Sequence, residues 1–173
     1  MGQFAWPDGL SWFARGLGAL HTSDLATARQ AEQRMATLVE SAKSAPDKRF
    51  SVYLEVDRRI LAGWIANAEG DPERAIELMD SAGELEATVE KHPVTPGSLL
   101  PPYESLGDLL LSIDRPIEAL AAYERSDQTW PQRYNTLAGA LRAANEAGNT
   151  ESAQQWTNRL KETAPETTRK SAN

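Results

Sequence analysis

Four short segments of this 173-residue chain carry the same punctuation. They are Ser23-Asp24-Leu25-Ala26-Thr27-Ala28, Gly70-Asp71-Pro72-Glu73-Arg74-Ala75, Asp114-Arg115-Pro116-Ile117-Glu118-Ala119 and Gly148-Asn149-Thr150-Glu151-Ser152-Ala153. In each, a Gly, Ser or Asp can close one helix, a polar residue can cap the next, and a small alanine begins that helix's buried face. Such a segment is the turn of a helical hairpin, and four turns imply eight helices. Apolar periodicity places those helices at about residues 8–21, 24–44, 48–69, 72–90, 100–113, 116–127, 131–147 and 150–163. No alternating β-branched run of useful length competes with them as a strand.

The third of these hairpins has the most regular spacing. Tyr103-Glu104-Ser105-Leu106-Gly107-Asp108-Leu109-Leu110 is followed by Ala119, Tyr123 and Pro131. A large residue, a Leu-Gly pair, an apolar residue and then Ala, an aromatic and Pro at fixed offsets suit two helices packed closely, with Gly107 facing the second helix and Pro131 opening the next unit. This pattern resembles the tetratricopeptide repeat. The resemblance implies an all-α, superhelical solenoid of about four helical hairpins, a single domain over residues 1–165, and a polar tail at 166–173.

Successive turn alanines lie 47, 44 and 34 residues apart, and the last interval equals the 34-residue period of that family. The small-residue position of the first helix falls on Gly16, Gly63, Gly107 and, departing from the pattern, Leu141. Between the second and third units runs Glu90-Lys91-His92-Pro93-Val94-Thr95-Pro96-Gly97-Ser98-Leu99-Leu100-Pro101-Pro102. With four prolines in ten positions it cannot continue a helix and must run extended. With the run that follows, it resembles the C-terminal repeats of larger bacterial tetratricopeptide proteins.

Charge narrows the function. A net charge of -7 and a pI near 4.9 argue against a general nucleic-acid binder, which needs clustered Lys and Arg to neutralise phosphates. A basic or apolar peptide is the easier partner. No apolar run approaches the roughly 18 residues that span a bilayer, and the first residues lack a basic stretch followed by an apolar one. The expectation is a chain working in the cytoplasm, or a piece of an exported protein whose signal has been removed. Without cysteine, disulfides, thiol catalysis and Cys-based zinc sites are excluded.

Repeats of the resembled kind bind through their first helices, so the expected site is a concave groove on those helices. The residues picked for partner contact are Phe13, Leu17, Trp64, Glu104, Asp108 and Arg142. The expected function is a non-catalytic scaffold or interaction module that binds a peptide or protein segment. The family's two-carboxylate clamp uses Lys, Asn and Arg at such positions, whereas Glu104 and Asp108 occupy two of them here, which argues against chaperone C-terminal recognition. The competing reading makes the apolar positions interior or self-associating surface. For Glu104 and Asp108, one helical turn apart, it supplies a neutralising Lys or Arg from the neighbouring helix, such as Arg58 or Arg59.

An alternative is a small-molecule or metal-binding helical domain with the 90–102 segment as its lid. His21 and His92 are the only histidines, and no His-x-x-x-His spacing supports a metal. No Gly-x-Ser-x-Gly elbow, phosphate loop or dinucleotide fingerprint points to an enzyme, and neither a catalytic residue nor a cofactor is expected.

Overall fold

The computed structural model describes residues 5–89 and 99–163. Among these the chain is all-α, with eight helices: α1 (Ala5–His21), α2 (Leu25–Ala42), α3 (Arg49–Ala68), α4 (Pro72–Ala87), α5 (Pro102–Ser112), α6 (Pro116–Thr129), α7 (Tyr134–Glu146) and α8 (Thr150–Thr163). It divides into two compact units, Met1–Pro102 and Tyr103–Asn173.

The four turns are built alike. Ser23, Gly70, Asp114 and Gly148 each take a positive φ, of 59°, 85°, 60° and 69°. The N–H of the following residue then reaches back to the last turn of the preceding helix. Asp24 donates to the carbonyl of Ala19, Asp71 to Ala66, Arg115 to Leu110 and Asn149 to Ala144, all at 2.9 Å. The positive-φ residues add bonds of 3.0 to 3.2 Å to the carbonyls of Leu20, Asn67, Leu111 and Asn145, completing a Schellman closure each time. Three of the residues after the closure also cap the next helix by side chain. Asp24 accepts from Thr27 N, Asp71 from Arg74 N and Asn149 from Ser152 N, each at 3.0 Å. Arg115 cannot do this, but Pro116 needs no partner for its missing N–H at the start of α6. The turn alanines Ala28, Ala75, Ala119 and Ala153 are all buried.

Helix α7 starts three residues later than Pro131. Gln132 adopts φ 63° and Arg133 an extended backbone, so Pro131 sits in the turn before the helix and not inside it.

In the first unit α1 packs on α2 and α3, α2 on α3, and α3 on α4. Phe13, Met35, Val56, Ile60 and Leu61 fill its main core, with Leu38, Val39 and Leu54 in a second cluster. Ion pairs tie the helices outside that core. Arg58 of α3 bridges Glu55 and Glu32 of α2, and Arg59 pairs with Glu55 while donating to the carbonyl of Ser81 on α4 at 3.0 Å. Burial opposes ionisation of Glu55, yet the two guanidiniums outweigh it and hold its carboxyl below the usual range.

In the second unit α6 packs on α7 and α7 on α8. Tyr123 is fully buried, and its ring lies where a Cβ at Gly107 would come within 2.7 Å and one at Gly139 within 2.4 Å. Glycine at both positions is what lets α5 and α7 close on the ring. Arg159 joins α8 to α6 through Asp127 at 2.7 and 2.8 Å, with its guanidinium 4.7 Å from the Trp156 ring centre.

Candidate functional site

The two helices that open hairpins in the second unit, α5 and α7, bring three of the expected residues into one neighbourhood. Glu104 and Asp108 stand one turn apart on α5, and Arg142 lies on α7. The two carboxylates have different environments.

Glu104 is only 4% exposed. Its carboxylate accepts from Arg133 Nε at 3.1 Å and Nη2 at 3.2 Å, and from the Thr136 hydroxyl, which also lies 3.2 Å from the hydroxyl of Ser126. A buried carboxylate with a forked guanidinium and a hydroxyl has its lone pairs satisfied from within the fold. Glu104 therefore holds the start of α7 to α5.

Asp108 is exposed. One oxygen, Oδ1, accepts from the Tyr123 hydroxyl at 2.5 Å. Even so, its pKa lies above the usual carboxylate value. Desolvation by the surrounding fold is the largest cause; the Tyr123 hydrogen bond opposes it, Glu104 adds repulsion and Arg142 attraction. The Tyr123 hydroxyl is held neutral in turn, by burial first and then by its bond to Asp108. Arg142 has an exposed side chain whose ion pair, to Glu146 on its own helix, is loose at 3.8 Å. An accessible acid and an accessible base thus share one face.

Phe13, Leu17 and Trp64 lie in the first unit and sort by depth. Phe13 is fully buried among the core residues, so it presents no surface to a partner. Leu17 on α1 and Trp64 on α3 are half-buried, packed on that core by one side. Gly16 and Gly63, their neighbours in sequence, are the close-approach points: a Cβ would fall 2.5 Å from Leu61 and 2.9 Å from Met79.

The partner of Glu104 differs from the sequence expectation. Arg58 and Arg59 belong to the ion-pair set of α2 and α3, and Arg133 takes the role foreseen for them. The signal for Arg133 was faint but present. Ala138 stands 34 residues after Glu104, at the matching repeat position. Arg133 and Thr136 lie within about one and a half turns before it, where a neighbouring first helix comes alongside. Tyr123 was visible only as a repeat aromatic, and nothing in its spacing announced the bond to Asp108.

His21 is exposed at the end of α1, and His92 lies outside the described residues, as does most of the 90–102 segment. No cluster of three metal-ligating side chains occurs among the described residues. Among those residues no helix is long and apolar enough to cross a membrane. Comparison with family models finds no match, and comparison with characterised proteins finds none either.

Proposed function

We propose that this chain is a non-catalytic interaction module of the tetratricopeptide type, which takes a peptide or protein segment on the faces of the helices that open its hairpins. The observation that carries this reading is the turn constructed four times over, with the same closure, the same 2.9 Å bond and the same buried alanine. A chain that repeats one hairpin leaves equivalent faces of its first helices available, and repeat architectures use such faces for binding.

In the second unit that face carries Asp108 and Arg142, while Glu104 is taken up internally. A segment with a Lys or Arg directed at Asp108 suits it best, because the carboxyl's remaining oxygen is free of the Tyr123 bond and partial desolvation strengthens the pairing. In the first unit Leu17 and Trp64 offer apolar edges to a partner's side chains. No role is assigned to Phe13.

Fluorescence anisotropy with labelled Lys/Arg-containing and neutral peptides tests the reading. The basic peptides should bind more tightly, lose affinity with added salt, and bind Asp108→Asn about tenfold more weakly, a change of about 1.4 kcal/mol. Equal affinity for both peptide classes, unchanged in Asp108→Asn, would overturn it.

A further inference from the structure

Asp57, midway along α3, has no surface exposure, and its Oδ2 has no hydrogen-bond partner among the described residues. Its Oδ1 accepts from the backbone N–H of Leu99 at 3.0 Å, a contact spanning 42 residues of sequence. On α4, Glu86 is also buried, at 3% exposure, and bears on Asp57 as a like charge. Tyr53, one turn back on α3, feels the same carboxylate. The adjacent Arg58 and Arg59 are engaged with Glu55, Glu32 and the carbonyl of Ser81, so the cations nearest in sequence are committed elsewhere.

We propose that Asp57 is a proton-controlled anchor for the Leu99–Pro102 stretch, holding it against α3 when protonated and releasing it on ionisation. Leu99 is the weak end of that stretch. Leu99 is 49% exposed, whereas Leu100 packs on the main core and Pro101 and Pro102 are buried. An ionised Asp57 would be a buried charge beside Glu86 with, among the described residues, one backbone N–H to solvate it. The least costly relief is to let water reach it by lifting the strand of chain bonded to it. Burial, reinforced by Glu86 against the opposing Leu99 hydrogen bond, pushes the Asp57 carboxyl up to about 8. The transition therefore falls at mildly alkaline pH and not in the acid range of an ordinary aspartate.

The full chain, followed by NMR, tests this through the Asp57 side-chain carboxyl resonance and the hydrogen-exchange protection of the Leu99 amide, corrected for intrinsic pH dependence. Asp57 should titrate well above the carboxylate range. Leu99 protection should fall on the order of tenfold per pH unit until Asp57 ionises and level off beyond, because opening is linked to loss of one proton. Asp57→Asn should remove that slope, and Glu86→Gln should move the Asp57 midpoint down. A midpoint in the ordinary aspartate range, Leu99 protection flat with pH in the wild type, or a slope persisting in Asp57→Asn would each overturn the proposal. Should Asp57→Asn fail to fold, the wild-type titration and Glu86→Gln decide the matter.

Discussion

The hydroxyl of Tyr123 donates to Oδ1 of Asp108 at 2.5 Å, from the fully buried ring of α6 to an exposed carboxyl on α5. One side chain thereby connects core packing to the proposed binding face: the ring fills the space that Gly107 and Gly139 leave open, and the phenol orients the acid. Tyr123→Phe should keep the packing and lose the bond, at a cost of about 1 kcal/mol in urea unfolding. Because the Tyr123 bond lowers the Asp108 pKa against desolvation, its loss should raise that pKa further. NMR titration of Asp108 showing a lower value in the variant would contradict the bond.

The ring's fit makes glycine substitutions position-dependent. A Cβ at Gly107 or Gly139 would meet rigid ring atoms at 2.7 and 2.4 Å, whereas one at Gly18 meets nothing within 4 Å. Gly107→Ala and Gly139→Ala should each destabilise by about 1 to 3 kcal/mol through overpacking. Gly18→Ala, on an exposed position of α1, should stabilise by about 0.5 to 1 kcal/mol through helix propensity. Thermal melts in which all three behave alike would show that the ring does not set the spacing.

The hairpins were legible in the sequence because their signals are local. Closure, cap and small residue sit within six positions, and each acts through backbone groups of its own turn, so Ser23, Gly70, Asp114 and Gly148 could be found without any knowledge of the fold. The site was legible only in part. Asp108 and Arg142, each one position past the small-residue position of its helix, stay at the surface, whereas Phe13 and Glu104, each three positions before it, are buried. Glu104 illustrates the harder case. Its partner lies 29 residues away, and a choice between Arg58, Arg59 and Arg133 turns on packing that no spacing rule encodes. Asp57 was invisible for the same reason: its N–H donor lies 42 residues on, across the Pro-rich segment.

Left-handed strain at the turns gives a paired test. Ser23 and Asp114 hold φ near 60° with a side chain, while Gly70 and Gly148 do so without one. Ser23→Gly and Asp114→Gly should raise stability by up to about 1 kcal/mol, and Gly148→Ala should lower it by roughly 1 to 2 kcal/mol. The exposed Gly148 has open space around it, so the loss would come from backbone alone. Denaturant midpoints that leave Gly148→Ala equal to the parent would mean that this turn relaxes without cost.

Asp57 should give the fold a pH dependence of unusual sign near neutrality. An unfolded aspartate ionises near 3.9, whereas in the folded chain Asp57 keeps its proton to about 8. Between those values the folded state binds a proton that the unfolded state has lost, so this residue makes stability fall as pH rises, by about 1.4 kcal/mol per unit, and the fall ends above about pH 8. Asp24, Glu55 and Glu118 act the opposite way. Their folded pKa values are lowered, so the stability they contribute is lost as pH falls through the acid range, below the window in which Asp57 dominates. Equilibrium urea unfolding at mildly acidic, neutral and mildly alkaline pH should show stability decreasing along that series. Asp57→Asn, which keeps an acceptor for the Leu99 N–H and has no charge to bury, should flatten the profile and surpass the parent most at the alkaline end. A parent profile that rises or stays level from mildly acidic to mildly alkaline pH would show that Asp57 is ionised in the fold across this range.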